Sequence, residues 1–137
     1  MITINGENRI FGRLCSYVAK KLLDTKEQVV ILNSEKVVIS GDKKEILARY
    51  LEKKDRGGKG NPLKNPKYPR YPDRLVKRCV RGMLPRNAKG SFALKRLKVY
   101  INVPDKYEKE VPEAVKAQHI KQITLLELSK KLGANLK

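Results

Sequence analysis

Arg74, Lys77, Arg78 and Arg81 recur three and four residues apart with no acid among them, and Arg86, Lys89, Lys95 and Arg96 follow. Residues at that spacing share one face of a helix. Their chemistry is anion binding, since a guanidinium fork pairs two phosphate oxygens and its plane stacks on an exposed base. Catalysis lacks its parts. Gly57-Gly58-Lys59-Gly60 is glycine-rich and holds a lysine, but it lacks the GxxxxGK[ST] spacing of a phosphate-cradling loop and follows a helix rather than a strand. No GxGxxG follows the first strand-like stretch, which weakens a dinucleotide reading. His119 is the one histidine, and no nucleophile–base pair can be named around it. Cys15 and Cys79 have no CxxC spacing and no neighbouring His or Cys cluster, so no metal is expected. Each falls on an apolar helical stripe and reads as a small buried hydrophobe in a reducing compartment. The chain is expected to be no enzyme, with no cofactor and no small-molecule substrate.

The charge is concentrated. The chain carries 32 Lys/Arg against 14 acids, a net +18, and residues 53–98 alone hold sixteen bases and two acids, a net +14. Such a density repels itself in a folded chain and calls for an anionic partner. A membrane surface would want large apolar residues opposite lysines on an exposed helix. Here the apolar stripes are needed to cover a sheet. No apolar run approaches the roughly 20 residues that span a bilayer. Met1-Ile2-Thr3-Ile4-Asn5-Gly6 lacks a signal-peptide pattern, so a soluble cytoplasmic protein is expected. DNA is less favoured, because no helix-turn-helix, zinc finger or basic zipper is visible. RNA remains.

The elements that must position these cations can be taken in order. Ile2-Thr3-Ile4 reads as a short strand. Ile10, Phe11, Leu14, Cys15, Val18, Ala19, Leu22 and Leu23 mark an amphipathic helix from about Asn8, its expected N-cap, to Asp24. Gln28–Asn33 is a nearly unbroken apolar run, typical of a strand buried on both faces, and the three together suggest a right-handed βαβ unit. Lys36–Ile39 reads as another short buried strand. Asp42 and Glu45 form a capping-box-like start to a helix with Ile46, Leu47, Tyr50 and Leu51. Residues 53–72 form a basic loop with three glycines, four prolines and the interleaved Tyr68 and Tyr71, expected to order on a phosphate backbone. The opening helix follows, with Leu75, Val76, Cys79, Val80 and Met83 as its buried stripe and Pro85 as its stop. A helix over 87–98 uses Phe92, Ala93, Leu94 and Leu97, and Lys98–Val103 reads as the next strand. Residues 104–137 read as a tail in which Ile120 and Ile123 pack on the body. Thr124 and Glu127 cap its last helix and Gly133 ends it.

Val80-Arg81-Gly82-Met83-Leu84-Pro85 closely resembles the universal large-subunit ribosomal protein L-thirteen family. The resemblance includes Gly12-Arg13-Leu14, Val38-Ile39-Ser40-Gly41-Asp42-Lys43, Ala93-Leu94-Lys95-Arg96-Leu97-Lys98-Val99-Tyr100 and Ile123-Thr124-Leu125-Leu126-Glu127-Leu128, and so covers essentially the whole chain. It implies an α/β fold, a three-layer α/β/α domain with a four-stranded parallel sheet ordered 3-2-1-4. It also implies binding to large-subunit rRNA and a structural role in early subunit assembly, beside neighbouring large-subunit proteins. The bacterial His-x-Gly-Tyr-Pro-Gly-Gly loop is absent: Asn61–Pro66 and Tyr68-Pro69-Arg70-Tyr71-Pro72 stand there, and the tail resembles the archaeal and eukaryotic branch.

The expectation is therefore a single rRNA-binding domain over residues 1–137, located in the large ribosomal subunit. Its phosphate contacts are expected at Arg74, Lys77, Arg78, Arg81, Arg86, Lys89, Lys95 and Arg96, with Arg13, Lys59, Lys64 and Arg70 in addition. Gly82 and Gly90 are expected to permit close backbone approach. The alternative is an RNA-binding regulator of translation that acts outside the ribosome.

Overall fold

In a computed structural model describing residues 1–116 and 121–136, Val29-Val30-Ile31-Leu32 form strand β2, and all four side chains are fully buried. A strand with no wet face needs a partner on each edge and cover on each side. β1 (Ile2–Asn5) pairs with it in parallel, Ile2 opposite Val29, and β4 (Leu97–Val99) pairs in parallel on the other edge, Val29 opposite Leu97. Helix α1 (Phe11–Asp24) makes the crossover from β1 to β2 and buries Leu14, Cys15, Val18, Ala19 and Leu22.

The parallel sheet has three strands, not four, and its order is β1-β2-β4. The strand expected beside β2, β3 (Val38–Ser40), instead pairs antiparallel with β5 (Gln122–Thr124), Val38 opposite Thr124. The cause is local. Asn33 takes a left-handed conformation (φ 52°), and a 3₁₀ turn over Ser34–Lys36 leads the chain away from the sheet. β4 then occupies the edge of β2, tied on by Tyr100 N–H donating to the Ile31 carbonyl at 2.9 Å.

The two faces of the sheet are covered differently. Val29 and Ile31 belong to the main core with α1 and with α3 and α5, described below, while Val30 and Leu32 meet Tyr107, Tyr100 and Val103. Tyr107 sits in a 3₁₀ segment, Asp105–Glu110. Among the described residues the second face is covered by this segment rather than by an α-helix, so the expected three-layer arrangement is not what they form.

Three local readings change as well. Helix α1 starts at Phe11, not near Asn8, because Ile10 makes a parallel bridge to Val38 and Asn8 is left-handed (φ 58°). In α2 (Lys43–Asp55) Asp42 makes no side-chain cap, and Glu45 turns to Arg49 at 3.3 Å. The expected strand over 98–103 is β4, earlier and shorter.

The presumed tail is part of the body. Ile123 of β5 and Leu125 and Leu128 of α5 (Leu125–Lys131), with Leu132 just beyond it, are all buried in the main core. Thr124 caps α5 as expected, its hydroxyl accepting from Glu127 N–H at 3.2 Å, although the Glu127 carboxylate goes to Lys43 rather than back to the cap. At the other end Gly133 is left-handed (φ 87°), with Gly133 N–H donating to the Lys130 carbonyl and Ala134 N–H to that of Ser129, a Schellman ending. His119 and Ile120 lie outside the described residues.

If α5 is core, Leu128→Ala leaves a cavity beneath the sheet and lowers unfolding free energy by about 2–5 kcal/mol. Urea denaturation followed by circular dichroism measures this, and a loss below about 1 kcal/mol would mark α5 as peripheral.

Candidate nucleic-acid interface

The apolar stripe of α3 (Pro72–Met83) is consumed by the core. Leu75, Val76 and Val80 are buried and Cys79 half-buried, so Arg74, Lys77, Arg78 and Arg81 are left exposed on the opposite side. Pro72 in the first turn suits a position where no N–H is needed. Met83, expected on the buried stripe, is 44 % exposed, and Leu84 beside it is buried instead.

Leu84 is buried and Pro85 turns the chain into α4 (Ala88–Lys95), a shorter helix than the 87–98 expected. Asn87 caps α4 by accepting from Gly90 N–H at 3.0 Å. Gly90 is buried against the preceding turn, where a β-carbon would collide with the Pro85 carbonyl oxygen. The close approach expected at Gly90 is thus made within the protein, and it fixes α4 against the end of α3. Ala93 faces the core, whereas Phe92, expected there too, is 64 % exposed.

The α3–Pro85–α4 turn frames an open groove of about 820 Å³ lined by Lys67, Arg78, Arg81, Gly82, Pro85 and Arg86. Its electrostatics are one-sided. The ion pairs among the described residues join Met1 to Glu27, Lys36 to Glu7, Lys43 to Glu127, Arg49 to Glu45, Lys54 to Asp55 and Arg56 to Glu52. Among those residues no cation from Lys67 to Lys98 has a carboxylate within reach. Cations held this close without counter-charges raise the local potential, and an incoming anion meets no internal competitor.

The expected contacts divide accordingly. Arg78, Arg81 and Arg86 come together in the groove, while Arg74, Lys77, Lys89 and Lys95 stand exposed on the same two helices. Lys59 and Lys64 are exposed in the loop after α2, and Arg70 lies near Gly133 beyond α5. Arg13 lines a separate depression with Arg9 and Tyr17. None of these four borders the groove. Arg96 is committed elsewhere: its two terminal nitrogens donate to the Thr25 and Leu22 carbonyls at 2.7 and 2.8 Å, capping the end of α1. Lys67 is a groove residue that sequence reasoning did not select.

A second open groove adjoins the first and shares Pro66, Arg78 and Gly82 with it. Its walls include Phe11, Tyr50 and Tyr68, with Lys53 and Arg56 at the rim. Neither Lys53 nor Arg56 was singled out from sequence, although they follow Tyr50 at three-residue spacing, Lys53 on α2 and Arg56 just past its end. Beneath this groove Cys15 of α1 meets Cys79 of α3. The neighbouring Cys79, together with burial, pushes the Cys15 thiol up, and the same pairing draws Cys79 down. Both are free thiols. Among the described residues there is no metal-ligating cluster, and no helix is long and apolar enough to cross a membrane.

A small α/β body with one cationic face whose bases have no carboxylate partner among the described residues is a class of surface suited to an extended polyanion rather than to a small substrate. Comparison with known proteins gives the family. A family model described as ribosomal protein L13 matches residues 1–106. Large ribosomal subunit protein uL13 of Methanosphaera stadtmanae is 46 % identical over 98 % of this chain and 99 % of its own length. Those of Methanocaldococcus jannaschii and Methanococcus maripaludis are 43 % and 40 % identical, each over 98 % of both chains. The chain belongs to the ribosomal protein L13 family, and these archaeal relatives are named as ribosomal proteins, not as enzymes.

Two glycines at the groove should behave oppositely. Gly90→Ala forces the Pro85 turn apart and lowers stability by about 1–3 kcal/mol. Gly82 has open space around its would-be β-carbon, so Gly82→Ala raises stability by about 0.5–1 kcal/mol through helix propensity. Thermal unfolding of the two variants measures the contrast.

Proposed function

We propose that this chain is a structural constituent of the large ribosomal subunit. It binds large-subunit rRNA through the α3–Pro85–α4 face, and so supports subunit assembly and translation in the cytoplasm. The whole of residues 1–137 acts as one rRNA-binding domain and sits beside neighbouring large-subunit proteins. The observation that carries this reading is the groove whose Arg78, Arg81 and Arg86 have no carboxylate partner among the described residues. Membership of the L13 family and the relatives' names support it. RNA is the polyanion these supports favour, and Arg74, Lys77, Lys89 and Lys95 extend the phosphate-binding surface along both helices. Arg13, Lys59, Lys64 and Arg70 are proposed as outlying contacts. Arg96 is proposed to act through the fold, by holding the end of α1.

Salt dependence tests the assignment. Each phosphate contact contributes roughly 0.7–0.9 to the slope of log K against log salt. Replacing Arg81 and Arg86 together by alanine should make that slope shallower by about two contacts for a large-subunit rRNA fragment. Arg96→Gln should leave the slope unchanged and lower unfolding free energy by about 1–3 kcal/mol, because the part-buried carbonyls at the end of α1 lose their donors. An unchanged slope in the double variant removes both arginines from the interface. Sucrose-gradient sedimentation separates a subunit constituent from a free RNA-binding regulator. Co-migration with the large subunit at fixed stoichiometry is expected, and exclusion from it would contradict the proposal.

A further inference from the structure

The second groove differs in kind from the first. It encloses about 490 Å³ between α1, α2, α3 and the loop before α3, within the range of small-ligand sites, and its walls are aromatic. The Tyr50 and Tyr68 rings meet edge to face, 6.0 Å apart and 80° inclined. Cations lie over both rings: the Arg78 guanidinium is 4.6 Å from the Tyr68 centroid, and the Lys53 ammonium is 5.2 Å from that of Tyr50. Neither cation has a carboxylate partner among the described residues. Arg56 pairs with Glu52 at 2.8 Å, but both groups are about 70 % exposed, and a pair so wet releases its arginine at little cost. Burial raises both phenols, Tyr50 to about 12, so the aromatic wall stays neutral and does not repel an anion.

Flat aromatic walls beneath a cationic rim match one ligand chemistry closely: a planar heterocycle joined to a phosphate. We propose that this groove receives a single unstacked nucleotide of the bound RNA, its base against Tyr50, Tyr68 and Phe11 and its flanking phosphates on Lys53, Arg56 and Arg78. The proposal rests on the RNA-binding reading above and names a subsite within it. Continuity favours a polynucleotide over an isolated phosphorylated side chain. Pro66, Arg78 and Gly82 border both grooves, so a strand whose phosphates follow Arg81 and Arg86 passes the mouth of the aromatic groove without leaving the protein. Gly82 lies at that junction with no side chain to block the path. Base–aromatic stacking tolerates any base, so the subsite recognises an unpaired nucleotide rather than a sequence.

The test compares a single-stranded RNA hexamer with a fully paired RNA duplex of the same length, both titrated against the full chain. Tyr68→Leu should weaken hexamer binding by about 5- to 100-fold, the loss of one stacked base. It should leave duplex binding within twofold and the salt slope for both unchanged. Tyr68→Phe should keep hexamer affinity within twofold. Equal losses on hexamer and duplex, or hexamer affinity retained in Tyr68→Leu, would overturn the subsite. Because Tyr68→Leu could disturb the loop, the unmodified protein gives an independent readout. A hexamer carrying one 5-iodouridine, irradiated in complex, should form its adduct at Tyr50 or Tyr68, as mapped by mass spectrometry, and adducts confined to other residues overturn the proposal. Failure of the two readings is distinguishable. Salt-dependent binding with adducts elsewhere sinks only the subsite, whereas no salt-dependent binding of either RNA sinks the RNA reading and the subsite with it.

Discussion

The constraint on which the rest of this structure depends is that β2 has no polar side. Four consecutive fully buried residues, Val29–Leu32, demand strands on both edges and cover on both faces. β1 and β4 supply the edges. α1, α3 and α5 cover one face and Tyr107 the other. Covering that strand uses up the apolar stripe of α3, so its arginines and lysines have nowhere to go but outward. The basic surface follows from how the hydrophobic core is closed.

The charge then follows from the same geometry. Ion pairing among the described residues serves α2, the amino-terminal region and the contact between α2 and α5, and it leaves the bases of the α3–α4 face without carboxylate partners. Exposed like charges within a Debye length of about 8–10 Å repel one another, and this repulsion weakens the compact state until an anion screens it. The Pro85 turn and Gly90 hold the two basic helices at a fixed separation, so that repulsion cannot relax by splaying them. The neutralising partner therefore meets a surface already in place.

Much of this is legible in the amino-acid sequence where periodicity reports burial. The α1 and α3 stripes, the unbroken β2 run, the Thr124 cap and the Gly133 ending all record local requirements. What escaped depends on contacts distant in the chain. β5 is three residues long and is a strand only because β3, some eighty residues earlier, lacks a partner. Arg96 looks like any other cation of its region until the α1 carbonyls reach it. Phe92 and Met83 fit apolar periods, but the adjacent Ala93 and Leu84 take the buried positions. The aromatic groove was illegible for the same reason. Tyr50 and Lys53 belong to α2, Tyr68 to a loop and Arg78 to α3, and only tertiary packing joins them.

The most direct measurement of the central claim is lysine acylation of the full chain, with and without large-subunit rRNA, quantified residue by residue by mass spectrometry. If the α3–Pro85–α4 face meets the RNA, Lys67, Lys77 and Lys89 lose reactivity on binding. Lys36 and Lys130, exposed on elements other than α3 and α4, keep theirs. Protection of Lys36 and Lys130 with Lys67, Lys77 and Lys89 still reactive would place the RNA on another face and contradict the account.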